Sequence, residues 1–377
     1  FSGLIAAAAV LAGYNPALAE DIDLFVQPPG IATGVPNVLI ILDNTANWND
    51  PFTEQMAALV DTFNGLDVDD AGNAKFRVGL MLFSESGGAN KGQDGGYVRA
   101  AIRDMDASNQ AKYAALVNSF DQIADKGNAV KVGKTLADAY QYFSGLAPLT
   151  GNQKSKTDYK GNVFESGPSG PASKAIYALE GNALEGFNTS PYTSPIVSGS
   201  CAGNYIMYIS NGQSTENSAD TKTATSWLAT AAAAVGVAGA TDKIPISPSG
   251  LDTNVSDEWA RFMKKSPRRI TTYTIDVKPK VTGQTPAWTA VLKSMADTSG
   301  GKYFDGGSGA TGSEIRNAMG IIFSEIQAVN SVFASVSLPV SVNTEGTFLN
   351  QVYIGMFRPD EKASPRWSGN LKQYKLG

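Results

Sequence analysis

The sequence predicts an α/β fold, a doubly wound and mostly parallel sheet with helices on both faces. Short apolar runs recur along the chain, beginning with residues 38–42 (Val-Leu-Ile-Ile-Leu). Such uninterrupted runs are typical of strands covered on both faces. Amphipathic stretches of helical period separate them, and this alternation indicates crossover connections and a parallel sheet. An apolar content of 42% with 17% charged residues supplies a large core for 377 residues.

The first half of the chain alternates predicted strands and helices. After the strand at 38–42, a helix carries an apolar face made by Phe52, Met56, Leu59, Val60 and Phe63. The predicted elements that follow are a strand at 76–83, a short strand at 97–102, and helices around 110–123 and 136–143. A Gly-rich loop at 86–96 separates the two strands.

The second half continues this pattern after a polar insertion. Residues 148–200 are rich in Gly, Ser, Pro and Asn, which predicts a surface insertion with one helix near 172–184. The predicted elements that follow are strands at 205–209 and 270–277 and helices at 218–237, 255–263 and 285–296, then a last helix. Thr311 and Glu314 form a capping box for that last helix, whose buried face is predicted to be Ile315, Met319, Ile322 and Ile326.

The predicted domain organisation has four parts. Residues 1–19 are read as the remnant of a secretory signal, because 4–11 is an apolar run too short to span a bilayer and Ala17-Leu18-Ala19 is a small-x-small cleavage pattern. An extended segment at 20–35 follows, then the α/β domain at 36–330. Residues 331–377 alternate apolar and polar side chains and predict a small β module.

Composition excludes several functions. The chain has no histidine, which removes imidazole catalysis and His-ligated metals. Cys201 is the only cysteine, so a cysteine-rich zinc site is excluded, and its thiol is either buried or paired with a segment outside this chain. A net charge of −5 without a basic stripe argues against nucleic-acid binding. We therefore expect a protein that is not an enzyme.

Three polar loops are predicted to meet at one edge of the sheet. Asp43, Thr45 and Asn47 follow the first strand, Thr135 lies in the first turn of a helix, and Asn211 follows the strand at 205–209. In open α/β sheets, ligands bind at the carboxyl ends of the strands. Oxygen atoms at alternate positions of such a loop can converge on one hard cation.

These three loops resemble the metal-ion-dependent adhesion site of von Willebrand factor A domains. The resemblance implies a von Willebrand factor A-like fold and a site for Mg²⁺, Mn²⁺ or Ca²⁺ with Asp43, Thr45, Asn47, Thr135 and Asn211 as ligands. The site is degenerate, because the family has a second Asp where this chain has Asn211 and a hydroxyl where it has Asn47. Two interpretations stay open, a weak cation site and a vestigial site whose polar groups bond one another.

A narrower resemblance is to the PilY-type adhesins of type IV pilus tips. It rests on the residues around 21–25, 43–48 and 201–206 and, most specifically, on the tail motif at 358–372 (Arg-Pro-Asp through Pro-Arg-Trp-Ser-Gly-Asn-Leu-Lys). In that family the tail leads into a C-terminal β-propeller, which would follow residue 377. The resemblance implies export through the periplasm to the pilus tip and cell surface.

The same resemblance implies roles in adhesion, pilus biogenesis, twitching motility and surface sensing. The implied partners are minor pilins, the pilus tip complex, and a host or abiotic surface ligand. An alternative is a scaffold that docks on minor pilins to prime assembly, without metal and without direct adhesion.

Four other signals are weighed against these. Gly133-Lys134-Thr135 suggests a phosphate loop, but that motif needs glycine at position 128, which is Asn, so no nucleotide site is expected. The carboxylate pairs Asp69-Asp70 and Asp257-Glu258 are interpreted as solvated or helix-start charges. Trp48 follows the site loop, where core packing and partner contact are both open.

Overall fold

The computed structural model describes residues 34–45, 51–84, 94–127, 129–164, 171–200, 202–251, 253–277, 285–307, 312–330, 351–358 and 368–375. The chain divides into two compact units. The larger unit spans Ala32–Ser331 and contains the α/β sheet. The described part of the other unit is an antiparallel pair of strands, β7 (Gln351–Arg358) and β8 (Ser368–Lys375).

The larger unit alternates strands and helices along the chain. Its strands are β1 (Asn37–Leu42), β2 (Arg77–Ser84), β3 (Gly95–Asp104), β4 (Asn204–Ser210), β5 (Thr271–Asp276) and β6 (Tyr303–Asp305). Its helices are α1 (Phe52–Asn64), α2 (Ala107–Asn118), α3 (Val132–Ser144), α4 (Pro171–Tyr177), α5 (Ser218–Val235), α6 (Ser256–Lys265), α7 (Pro286–Ser299) and α8 (Gly312–Asn330). None of these helices combines the length and apolar character needed to cross a bilayer.

The sheet has the strand order β3-β2-β1-β4-β5-β6, and only β3 is antiparallel to its neighbour. The predicted doubly wound, mostly parallel sheet is thereby confirmed. Strand order reverses between β1 and β4, which pair in register from Asn37 with Asn204 to Leu42 with Ile209. This reversal is the topological switch point, where such sheets leave a crevice beyond the strand ends.

Helices cover both faces because each central strand is apolar on both sides. In β1, Val38, Ile40 and Leu42 pack in the core shared with α1, α2 and α8, while Leu39 and Ile41 pack in the core shared with α3, α5, α6 and α7. All five side chains are at most 1% exposed. The predicted buried residues of the last helix (Ile315, Met319, Ile322 and Ile326) are each 0% exposed.

Several predictions fall outside the described residues. These are the signal remnant at 1–19, Asn47 and Trp48 of the site loop, Cys201, Thr311 of the capping box, and the first strand of the β module before residue 351. The β6 strand was not predicted, because a run of three residues carries no periodic signal.

The polar insertion is more deeply packed than a surface loop. Asp158 is 0% exposed, its backbone N–H donates to Val98 O of β3 at 2.8 Å, and its carboxylate accepts from Ala101 N at 2.7 Å. Arg103 of β3 forms an ion pair with Asp158 at 2.8 Å. Thr150 Oγ1 donates to Gly96 O at 3.3 Å. The insertion therefore covers the outer edge of β3, and the prediction that it lies on the surface was wrong for these residues.

The two carboxylate pairs have different surroundings. Asp69 is exposed and its carboxylate accepts from Ala71 N and Asn73 N, as expected for a solvated turn. Asp257 and Glu258 do begin a helix, α6, but they are only 3% and 1% exposed. Of the two interpretations, helix-start charges are confirmed for this second pair and solvated charges are not. Their burial follows from packing of α6 against α7 and against residues 240–251, which local sequence does not reveal.

Candidate functional site

The loops after β1 and β4 meet at the switch point, at the carboxyl edge of the sheet. The backbone N–H of Asn211 donates to Asp43 Oδ2 at 3.0 Å, and its side-chain Nδ2 donates to the backbone oxygen of Asp43 at 2.5 Å. These residues are 168 positions apart in the sequence. Parallel pairing of β1 with β4 brings them together, because both follow the last paired residues of their strands.

The Asp43 carboxylate is enclosed by hydrogen-bond donors. Oδ1 accepts from the N–H of Thr45 at 3.0 Å and from its hydroxyl at 2.5 Å. The N–H groups of Asn211 and Gly212 also donate to this carboxylate. The side chain is 0% exposed. Burial raises the pKa of Asp43 to about 6, against the opposing effect of its hydrogen bonds. One buried carboxylate thus joins the two loops.

Gln55 of α1 is a site residue that the sequence interpretation did not identify. Its carboxamide is 0% exposed and pairs with that of Asn211: Nδ2 of Asn211 donates to Gln55 Oε1 at 3.0 Å, and Gln55 Nε2 donates back to Asn211 Oδ1. The signal available was a polar residue one turn before Leu59 on an otherwise apolar helix face. The pair fixes the orientation of the Asn211 side chain.

Asn44 ties the site loop to the turn before α3. Its Oδ1 accepts from the N–H of Phe83 at 3.0 Å, its Nδ2 donates to Asp125 O at 2.7 Å, and its backbone oxygen accepts from Gly127 N at 2.8 Å. The carboxylate of Asp125 is in turn paired with buried Lys156 of the insertion at 2.7 Å. The insertion therefore supports the site loop through this turn.

Thr135 belongs to the neighbouring α3, at its first turn as predicted. Its hydroxyl donates to the backbone oxygen of Lys131 at 2.9 Å, and the side chain is 0% exposed. Among the hydrogen bonds of the described residues, none joins Thr135 to Asp43. The structure thus brings Asp43, Thr45 and Asn211 into one cluster, and Thr135 lies on α3, where its hydroxyl bonds to Lys131 rather than to Asp43.

The β4–α5 loop links this cluster to the surrounding helices through Glu216, a second residue not identified from the sequence. Its carboxylate accepts from Lys134 N at 3.2 Å and from Gly133 N at the start of α3, and from Asn254 Nδ2 at 3.1 Å. Burial raises the pKa of Glu216 to about 7. Glu216 therefore holds the N-terminus of α3, whose dipole favours a negative charge there.

The described oxygen atoms match the chemistry of a hard cation but are already engaged. The set is one carboxylate (Asp43), the hydroxyls of Thr45 and Thr135, and the amide oxygen of Asn211. Within the described residues, no group of three or more Asp, Glu, Cys or His side chains could hold a metal ion. A bound cation would have to compete with the contacts of Asp43 and Asn211, so the arrangement fits only weak binding.

Comparisons with known proteins find solved structures that are similar to this chain at low sequence identity. No protein-family profile and no curated protein matches the chain. The proximal thread matrix protein 1 of the mussel byssus is 8% identical, with a TM-score of 0.38 over 77% of this chain and 46% of that one. The pilus adhesin SpaC from Lactobacillus rhamnosus GG is 9% identical, with a TM-score of 0.41 over 78% and 30%.

A third similar structure is the SpRpn10 VWA domain, at 10% identity and a TM-score of 0.35, covering 81% of this chain and all of that domain (100%). The present chain therefore spans about half the length of the mussel protein and less than a third of SpaC.

Proposed function

We propose that this chain is an exported, non-enzymatic component of a type IV pilus tip, and that the carboxyl edge of its sheet is a recognition surface. The proposal joins the sequence motifs at 43–48 and 358–372 with the geometry of the edge. Recognition by such an edge requires no reacting group, which agrees with a chain that lacks histidine.

The observation that carries the proposal is the contact between Asp43 and Asn211. It joins two of the three loops of the resemblance, those after β1 and β4, at the switch point where α/β sheets bind ligands. Three further hydrogen bonds hold the described parts of these loops. Asn211 bonds to Gln55 of α1, Asn44 bonds to the turn before α3, and Glu216 bonds to the start of α3. A preformed edge of this kind can bind a partner with little ordering cost.

Cation binding at this edge belongs to the proposal. Asp43, Thr45, Thr135 and Asn211 would hold the ion, with Asn47 as the fifth residue of the resemblance. A divalent ion would supply positive charge that attracts a carboxylate of the partner. The protein's own residues orient that approach, because Gln55 and Asp43 fix the Asn211 side chain.

The test of the metal part uses an added carboxylate. Asn211→Asp restores the second charge, and thermal unfolding of the full chain is followed with Mg²⁺, Mn²⁺ or Ca²⁺ against the chelated protein. We expect a larger cation-dependent rise in melting temperature for Asn211→Asp than for the original chain, since binding to the native state stabilises it by RT ln(1 + [L]/Kd). Asp69→Asn, at an exposed turn, is the matched control. If no cation shifts the unfolding of either protein, the metal part is refuted.

The test of the recognition part is made in piliated cells. Asp43→Asn is preferable to Asp43→Ala, because the amide keeps the shape and one acceptor oxygen in a fully buried position. Normal pilus number with reduced attachment is the expected result, provided that the purified variant unfolds as the original does. Unchanged attachment of a folded Asp43→Asn protein would contradict the proposal.

A scaffold that docks on minor pilins is the second candidate, and one observation favours it. Ile123 is 81% exposed on the turn before α3, yet this turn is rigidly built: Asp121 Oδ1 accepts from the N–H groups of Ile123 and Ala124, and Asp125 pairs with Lys156. A fixed turn that displays a large apolar side chain suits a protein contact. Ile123→Ser should reduce pilus number if the scaffold role holds, and should leave it unchanged if the edge acts only in attachment.

A further inference from the structure

A cleft of about 270 Å³ lies between the end of α1 and the middle of α8. Its base is apolar and is made by Leu66, Phe76 and Phe323, which are at most 8% exposed. The two phenyl rings pack edge to face, with their centroids 5.0 Å apart. Clefts for drug-sized ligands usually measure about 300–1,000 Å³, so this smaller cleft suits a single side chain of a partner.

One face of α8 borders the cleft, and a glycine stands in the middle of that face. Arg316, Gly320 and Ser324 are spaced four residues apart, so they lie one above another along the helix. A Cβ at Gly320 would meet no atom within 4 Å, and the surrounding packing therefore does not require glycine there. Glycine inside a helix costs stability relative to alanine. Its effect here is to leave the cleft unfilled, because a side chain at this position would stand between Arg316 and Ser324.

The hydroxyl groups at the cleft are already bonded within their own helices. Thr62 Oγ1 donates to the backbone oxygen of Ala58 at 2.7 Å, and Ser324 Oγ donates to the backbone oxygen of Gly320 at 2.8 Å. A hydroxyl that donates to its own helix has no proton left for a ligand. The charged side chains are therefore the groups that decide which ligand the cleft prefers.

The charges around the cleft leave one carboxylate without a counterion. Asp61 of α1 and Arg316 of α8 form an ion pair at 2.9 Å. Asp67, in the turn after α1, also lines the cleft and is exposed, and among the described residues no Lys or Arg forms an ion pair with it. The exposed pair Asp69-Asp70 follows in the same turn, where Lys75 acts on Asp69. The end of the cleft at Asp67 is therefore negatively charged.

We propose that this cleft is a docking site for an arginine side chain of a partner protein, with the apolar stem over the base and the guanidinium group at Asp67. Arginine buries its stem along apolar surface while its charged end stays in water. The guanidinium also stacks on aromatic rings and bonds a carboxylate through two parallel N–H groups. A glutamate would be repelled by Asp67, and a leucine would leave Asp67 without a counterion.

The cleft is separate from the candidate site at the carboxyl edge. Phe76 directly precedes β2, so the cleft lies at the opposite, amino edge of the sheet. A partner could therefore occupy the cleft while the loops after β1 and β4 remain accessible. The inference does not depend on the proposed pilus function.

Nuclear magnetic resonance of the full chain, titrated with a blocked glycine-arginine-glycine tripeptide, tests the proposal. We expect the backbone amide signals of the cleft to shift, with a dissociation constant on the order of 1 mM or weaker, as for a single anchoring side chain. The same tripeptide with glutamate or leucine in the middle should leave these signals in place.

Two pairs of variants locate the binding. Gly320→Leu fills the cleft and should abolish the shifts, whereas Asn317→Leu adds the same side chain at an exposed position of α8 outside the cleft and should not. Asp67→Asn should weaken binding by about two- to fivefold, the range of an exposed ion pair. Asp70→Asn, in the same turn but outside the cleft, should leave it unchanged.

The absence of shifts at the cleft with the arginine tripeptide would overturn the proposal. Equal shifts with the glutamate tripeptide would also overturn it, because Arg316 would then be the group that recruits the ligand. Retained binding in a folded Gly320→Leu protein has the same consequence. Leucine favours a helix more than glycine does, so this variant should unfold at or above the temperature of the original chain. If it does not fold, the comparison of Asp67→Asn with Asp70→Asn decides, since both positions are exposed.

Discussion

Replacing Asp158 with alanine should destabilise the α/β unit strongly. The side chain is 0% exposed and accepts from Arg103, from Ala101 N and from Asn182 Nδ2, with donor–acceptor distances of 2.8, 2.7 and 2.7 Å. Asp158→Ala leaves Arg103, only 5% exposed, without this carboxylate. Removing one member of a buried ion pair costs about 3–5 kcal/mol, and an unsatisfied buried N–H adds about 1–3 kcal/mol.

We therefore expect a loss of about 4 kcal/mol or more, and a melting temperature lower by about 6 °C or more in a unit of this size. Urea unfolding followed by circular dichroism measures the loss. Glu185→Ala is the matched control, because Glu185 pairs with Lys160 in the same insertion at 3.9 Å while both side chains are more than 70% exposed. That exposed pair should change stability by less than about 0.5 kcal/mol.

A result in which Asp158→Ala and Glu185→Ala differ by less than about 1 kcal/mol would refute the argument that buried charges fix the insertion. The double variant Arg103→Met with Asp158→Leu separates two explanations. If the cost comes from an uncompensated charge, replacing both partners should recover part of the stability. If it comes from lost packing of the insertion, the double variant should be at least as unstable as Asp158→Ala.

Three further predictions concern backbone space, the amide pair and pH. Gly301→Ala should lower the melting temperature, since its Cβ would lie 2.1 Å from Thr272 O, whereas Gly320→Ala in α8 has open space and should raise stability by about 0.5–1 kcal/mol. Gln55→Ala should cost about 1–3 kcal/mol in urea unfolding, because it leaves the buried Asn211 amide without its partner. Glu216 has a folded pKa of about 7, above its ordinary 4.5, so its stabilisation is complete below about pH 4.5 and is lost as the pH rises to about 7. Glu216→Gln should therefore flatten the fall in unfolding free energy across this range, and an unchanged pH profile would contradict this.

The sheet could be predicted from the sequence because its strands carry their own signal. Residues 38–42 and 205–209 are apolar at every position or nearly so, and both became central strands. The polar turns that follow them then had to lie at one edge, which is why Asp43 and Asn211 could be placed together before any coordinates. The helix face of Ile315, Met319 and Ile322 followed from its period in the same way.

The parts that were not predicted depend on contacts between distant segments. Nothing around Gln55 indicates that its amide meets Asn211, 156 residues away. The charges of Asp158 and Glu258 would be solvated on their own. In the fold, Arg103 forms an ion pair with Asp158 and the backbone N–H of Ile244 donates to Glu258. Polar residues in irregular segments have no periodic pattern, so their burial is visible only in the fold.

The covered edge of β3 affects whether copies of this domain can associate by pairing their strands. An open strand edge is a template on which another chain can add a strand, and rows of such edges lead to fibres. Here several backbone groups of β3 are bonded to the insertion and to the flanking helices: Val98 O and Ala101 N bond to Asp158, Ile102 N donates to the Tyr142 hydroxyl, and Ala101 O accepts from the Tyr113 hydroxyl. The opposite border is β6, whose three residues are too short to template a neighbour. Many copies packed side by side would therefore resist joining into one continuous sheet.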